Sequence, residues 1–204
     1  MSTLNPYNKE IIQVETEFCG RPIKLEVNRL AFQSSGAVTV TYGDTVVLGI
    51  ANVKEDIAEG FDYFPLSIDY EERMYASGRI SGSRFMKREG RPTDEAILTG
   101  RLIDRPIRPL FPKGFRNEAQ IVTTVLSLDP ELGAEAAAMI AASAAMMLTG
   151  APFEGPVAGV RVGLIGEDLV VYPTNSQKEN SDLDLFVAGT ENAIMMVEAG
   201  ANQI

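Results

Sequence analysis

Between Arg79 and Arg116 the chain concentrates the side chains best suited to hold a polyanion. Ten of its eighteen Lys and Arg residues fall there against four acids (Glu89, Asp94, Glu95, Asp104), leaving eight bases against twenty-four acids elsewhere. A formal net charge of −10 therefore conceals a local field of the opposite sign, and a phosphate backbone meets the local field. The core of the block reads RFMKREGRPTDEAILTGRLIDRPIRPLFP over residues 84–112.

Gly78, Gly82 and Gly90 permit close backbone approach to a ligand, while Arg79, Arg84, Lys87, Arg88 and Arg91 supply charge along the same stretch. Phe85 and Met86 sit among those bases. An exposed ring beside two cations grips single-stranded RNA without reading its sequence, a base stacking on the ring while phosphates meet the charges. The competing reading tucks Phe85 into the core and leaves the charges as a solvated loop. Further on, Arg101 and Arg105 lie one helical turn apart, with Arg108 just beyond. Asp104 can pair with Arg101 or with Arg108, so a purely structural ion-pair network stays open beside a ligand-binding one.

The chemistry available is narrow. The chain has no histidine and a single cysteine, Cys19, which removes Ser-His-Asp and Cys-His hydrolases, Cys/His zinc sites and internal disulfides. Carboxylates, hydroxyls, Lys and Arg remain as tools. Asp182 and Asp184, two apart at a strand entry, share a face as magnesium ligands do, although a strand entry is also where solvated acids collect, and that is the stronger reading. The longest low-charge run, residues 136–150, is too short to span a bilayer, and the N-terminus lacks the pattern of a secretory signal, so no membrane partner and a cytoplasmic location are expected.

Those residues need a frame. Alternating β-branched and aromatic residues predict two hairpins over 11–27 and 37–53, the second turning at Gly43-Asp44, and a further strand over 63–70. Residues 71–92 carry no apolar period and read as a long exposed loop. A helix opens at Pro92-Thr93-Asp94-Glu95, with threonine as cap and acids at the positive end of the dipole, and prolines 106, 109 and 112 end it near Arg105. Its apolar residues show no clean stripe. A strand over 119–128 precedes AEAAAMIAASAAMML (134–148), a helix small and apolar on every side and so buried between layers. Strands follow near 156–165, 169–172, 183–188 and 193–199. The sum is an α+β layered fold, mixed sheets with a buried helix. The abrupt end after a strand-like run suggests a module of something longer.

Phe85-Met86-Lys87-Arg88-Glu89-Gly90-Arg91-Pro92, followed by RLIDRPIRPLFP over 101–112, closely resembles the first RNase PH-type repeat of the bacterial polynucleotide phosphorylase family. AVTVTYGDTVVL (37–48), FPLSIDYE (64–71) and LDLFVAGT (183–190) extend the resemblance over nearly the whole chain. It implies an RNase PH-like fold for residues 1–204 as the first, N-terminal domain of a longer multidomain chain. The implied activity is 3′-to-5′ phosphorolysis of RNA, with inorganic phosphate attacking the terminal phosphodiester and magnesium or manganese assisting in the complete enzyme. Implied partners are single-stranded RNA, inorganic phosphate, a second RNase PH-like repeat and two further copies in a homotrimer. A stand-alone RNA-binding module without catalysis is the alternative.

In that family the second repeat carries the catalytic residues, and this chain departs from its pattern. A serine run ahead of the buried helix is replaced by Gly133-Ala134-Glu135-Ala136, and aligning on Asp184 places Lys178 and Phe186 where an aspartate and a lysine would stand. The resemblance thus implies no catalytic residue and no metal held in this repeat. It assigns Phe85, Met86, Lys87, Arg88 and Arg91 to the RNA channel and Arg101 and Arg105 to an RNA or phosphate cleft. Many relatives have Phe and Arg where this chain has Met86 and Lys87, which weakens stacking and removes a bidentate fork.

Overall fold

A computed structural model describes residues 9–57, 60, 62–80 and 90–202. In chain order the elements are β1 (Ile12–Phe18), β2 (Arg21–Val27), β3 (Gly36–Tyr42), β4 (Thr45–Ile57), β5 (Leu66–Glu72), α1 (Asp94–Ile107), β6 (Asn117–Ser127), α2 (Glu135–Leu148), β7 (Ala158–Ile165), β8 (Asp168–Val171), α3 (Asn175–Lys178), β9 (Leu183–Gly189) and β10 (Ile194–Ala201). Short 3₁₀ turns stand at Met74–Ser77 and Arg108–Leu110. The six-stranded sheet has the order β1-β2-β3-β4-β6-β5 and the four-stranded sheet β10-β9-β7-β8. All neighbours are antiparallel except β5 and β6, which run parallel and are joined through α1.

Both expected hairpins form. The first turns on Cys19-Gly20 alone, both at positive φ, so Arg21 and Pro22 belong to β2 rather than to the connection. The second turns at Gly43-Asp44 as expected. The stretch read as a continuous loop from residue 71 is shorter at its start: β5 runs on to Glu72, and Met74–Ser77 forms a 3₁₀ turn closed by Gly78 at φ +70°.

α2 is the central layer. It packs on β3, β4 and β6 from one side and β7 from the other, and its buried face is mostly alanine. The close approach is cut into the sheet. At Gly49 of β4 a methyl group would lie 2.5 Å from the Ala141 carbonyl oxygen and 2.8 Å from the Ala141 side chain, so the helix backbone rests on the strand itself. Ser143, the one buried hydroxyl of the helix, accepts a hydrogen bond from the Val157 amide at 2.8 Å and so ties the helix to the segment entering β7. Buried residues of both sheets and both long helices make one apolar cluster.

α1 departs from expectation in two ways. It runs through Pro106 to Ile107 rather than ending near Arg105, because a proline in the last turn forfeits only one helical hydrogen bond. It also has a buried stripe, Ala96, Gly100, Ile103 and Ile107 at i, i+4, i+7 and i+11, flanked by Leu102 and Pro106. Gly100 disguises the stripe in sequence: its Cα approaches the Ile68 carbonyl of β5, where a methyl group would sit 3.2 Å away. With that face buried, Ile97, Leu98, Arg101 and Arg105 are left exposed.

Candidate nucleic-acid interface

Phe85, Met86, Lys87 and Arg88, the expected stacking and phosphate contacts, lie outside the described residues. The residues that flank them do not. Arg79 follows the Gly78-capped turn, Gly90 and Arg91 precede α1, and all three line a cavity of about 930 Å³. The cavity is bounded by the end of β5, the start of α1, the 129–135 loop that leads into α2, Arg161 of β7, and Asn175 and Lys178 of α3. Thr93 caps α1 as expected, its hydroxyl accepting from the Ala96 amide at 3.1 Å, which fixes where Arg91 and Pro92 enter the wall.

The arginines of α1 separate into two roles. Arg108 is structural. It donates to both Asp104 oxygens at 2.6 and 2.9 Å and to the Phe64 and Leu66 carbonyls at 3.0 Å each, clamping the helix end to the entry of β5. The open choice for Asp104 is thereby resolved toward Arg108 and away from Arg101. Arg105 donates to Glu198 of β10 at 3.2 Å with both groups half-exposed, and Glu198 itself lines the cavity, so Arg105 stands at the rim. Arg101 is exposed on the same helical face and makes no ion pair among the described residues, but it is not a lining residue.

Acids occupy the inner wall. The alternation of β5 turns Leu66, Ile68, Tyr70 and Glu72 toward the helices and Asp69 and Glu71 away from them. Partial desolvation raises the Glu72 carboxyl above the ordinary range, with Glu95 and Glu135 adding repulsion, while hydrogen bonds from Thr93 and Tyr70 oppose the rise. Burial drives the Tyr70 phenol strongly upward, with Glu72 and Glu135 contributing, so it remains a neutral donor.

Arg161 was missed by sequence reasoning. It is the lone charge in the run GVRVG, and a cation in mid-strand between two glycines is the signal that could have found it. Its guanidinium donates to Glu135 at 3.1 Å and to both oxygens of Asp184 at 2.9 and 2.8 Å, and lies 6.0 Å from the Phe186 ring centre. Lys178 is half-buried beside this group. Burial lowers its amine below the ordinary lysine value and Arg161 lowers it further, against the pull of Glu135 and Asp184. Asp184 is thus spoken for by a guanidinium, and among the described residues no three Cys, Asp or Glu side chains gather to hold a metal ion.

The chain, which folds as a six-stranded and a four-stranded sheet clasping an alanine-rich helix, matches two family models: 3′ exoribonuclease family domain 1 over residues 20–152 and domain 2 over residues 155–204. The boundary falls between the layers, the first match holding β2–β6 with α1 and α2, the second β7–β10. The chain belongs to the 3′ exoribonuclease family. Within it, the chain is similar to proteins named polyribonucleotide nucleotidyltransferase: 54% identical over 92% of its length to that of Heliobacterium modesticaldum, 55% over 93% to that of Staphylococcus carnosus, and 56% over 90% to that of Gloeobacter violaceus. It covers only 26%, 27% and 26% of these relatives, about a quarter of their length, as a first repeat would. The fold is RNase PH-like. The crystal structure of rice (Oryza sativa) Rrp46 superposes with a TM-score of 0.68 over 95% of this chain and 82% of that one, at 12% identity. No helix among the described residues is long and apolar enough to cross a membrane.

Proposed function

We propose that this chain is the RNA-channel and structural first repeat of a polynucleotide phosphorylase, which degrades RNA from the 3′ end by phosphorolysis and releases nucleoside diphosphates. The observation that carries the reading is the placing of the basic block. Arg79 and Arg91 stand on the cavity wall where residues 81–89 leave and rejoin the described chain, and Arg101 and Arg105 continue the charge along one exposed helical face. A flexible anionic strand drawn over that face meets Arg101 and Arg105 on successive turns of α1, while Phe85 supplies a stacking surface and Met86 a softer one. Arg91, Lys87 and Arg88 contact phosphates in this reading.

Chemistry is assigned to the second repeat. In this one Arg161, a cation of the cavity wall, is committed to Glu135 and Asp184. Magnesium or manganese and inorganic phosphate act in the complete enzyme, a cytoplasmic homotrimer whose ring places three such repeats around one strand. Incubating the purified chain with poly(A), phosphate and magnesium then releases no ADP, while the complete enzyme does. In the complete enzyme, Phe85→Ala with Lys87→Ala and Arg88→Ala weakens RNA binding and shortens processive runs. Unchanged affinity at fixed salt removes the channel assignment, and robust ADP release by this chain alone removes the division of labour.

A further inference from the structure

The two faces of the four-stranded sheet are unlike. On the face toward α2, Phe186 and Ala188 of β9 and Met196 of β10 are buried in the apolar cluster, beside Gly159 and Arg161 of β7. The opposite face is apolar at every position of its strands. Val160, Val162 and Leu164 of β7 lie in register with Val187, Leu185 and Leu183 of β9, and none of the six belongs to the cluster or packs against it. β8 widens this face with Leu169 and Val171, 68% and 47% exposed, and β10 with Val197, 56% exposed. β7 meets α2 and β10 meets α1 across the first face, which leaves the second open among the described residues.

We propose that the open face is a self-complementary interface, on which a second copy of the 204-residue chain lays the same four strands sheet to sheet. Four strands about 4.8 Å apart and about five residues long make a face of about 19 by 17 Å. Two such faces stacked remove about 1,000 Å² of apolar surface from water, the least that a specific interface needs. A soluble monomer seldom leaves a contiguous patch of that kind uncovered. Twisted sheets stack in this way about 10 Å apart with their strands nearly aligned. A twofold axis sets apolar rows against apolar rows, so no charge is stranded in the contact and growth stops at two copies. The acids nearest the face, Glu167 and Asp168 at the β7–β8 connection and Glu191 beyond β9, stand at strand ends, where like charges oppose the pair until salt screens them. Salt therefore separates this pair from the other contact the chain could make with itself, basic segment on acidic surface, which salt weakens. No residue of the basic segment stands on the face, so the pair does not depend on the RNA-channel reading.

Analytical ultracentrifugation of the 204-residue chain tests the pair. The weight-average mass rises from one chain toward two between about 1 and about 100 μM, the range of an interface near the lower size limit, and added salt moves the midpoint to lower concentration. Val162→Lys with Leu185→Glu, neighbours across β7 and β9, keeps the net charge and weakens the pair at least about tenfold, because both charges would be buried in the contact. Val171→Lys, at a position already 47% exposed, carries the same test if the double variant does not fold. Ile12→Lys, 59% exposed on β1 of the other sheet, leaves the pair intact. A parent that stays monomeric at about 100 μM overturns the proposal, and one that the same lysine destabilises has the face covered from within the chain instead. A mass of two that survives the variants, a pair that salt weakens, or growth past two copies overturns it as well.

Discussion

Arg108→Ala distinguishes a structural arginine from an RNA-contacting one, and its cost can be worked from four hydrogen bonds. Two go to Asp104 and two to the backbone carbonyls of Phe64 and Leu66. The Arg108 side chain is 40% exposed and that of Asp104 26%, so solvent screening reduces the ion pair to about 0.5 kcal/mol. Each carbonyl left without its donor adds about 1 kcal/mol. The total, roughly 2–3 kcal/mol, lowers the melting temperature of a chain this size by about 5–10 °C. Arg108→Lys recovers only part, because an ammonium cannot span a carboxylate and two carbonyls at once. Thermal melts and RNA-binding titrations are run on the same preparations. Arg108→Ala loses stability and keeps RNA affinity within about twofold, whereas Arg101→Ala with Arg105→Ala keeps stability and lowers the salt slope of RNA binding by about 0.7 per arginine lost. A thermally unchanged Arg108→Ala that binds RNA about tenfold more weakly refutes the division of roles.

Gly49→Ala places a methyl group against the Ala141 backbone and costs about 1–3 kcal/mol by forcing α2 off the sheet, which denaturant titration reads directly. Thr93→Ala removes the α1 cap for about 1 kcal/mol, Asp94 and Glu95 still favouring the helix dipole. The Glu72 carboxyl binds its proton more tightly folded than unfolded, so it contributes stability below its unfolded value that is lost as pH rises toward the raised folded one. Glu72→Gln therefore flattens that decline and raises the melting temperature at neutral pH relative to the parent, while the two converge in acid. A Glu72→Gln chain that is less stable than its parent at neutral pH contradicts the assigned repulsion.

Most of the frame was legible in the sequence because its signals are local. Period-two alternation marked the strands within residues 11–71, Gly43-Asp44 fixed a turn, Thr93 announced a helix, and the alanine-rich run at 134–148 admitted only burial. What escaped depends on contacts distant in sequence. The stripe of α1 is hidden because Gly100 is counted as apolar only once Ile68 is seen beneath it. The short helix α3 is held by a capping box on Thr174 and by bonds from Ser176 to Glu131, 45 residues away, which no window registers. The site was half legible. Composition located the basic block, but the roles of Arg105 and Arg108 turned on partners 42 to 93 residues off, and Arg161 became visible only when α2, β7 and β9 met.

The central claim is that the basic segment between Arg79 and Arg105 lies along the path of single-stranded RNA. Photo-crosslinking a 4-thiouridine-labelled oligoribonucleotide to the chain, followed by mass-spectrometric mapping, tests it most directly. Attachments clustered between residues 79 and 105 and suppressed by salt are the predicted result; attachments confined to the four-stranded sheet, or to the outward face of β1–β4, contradict it.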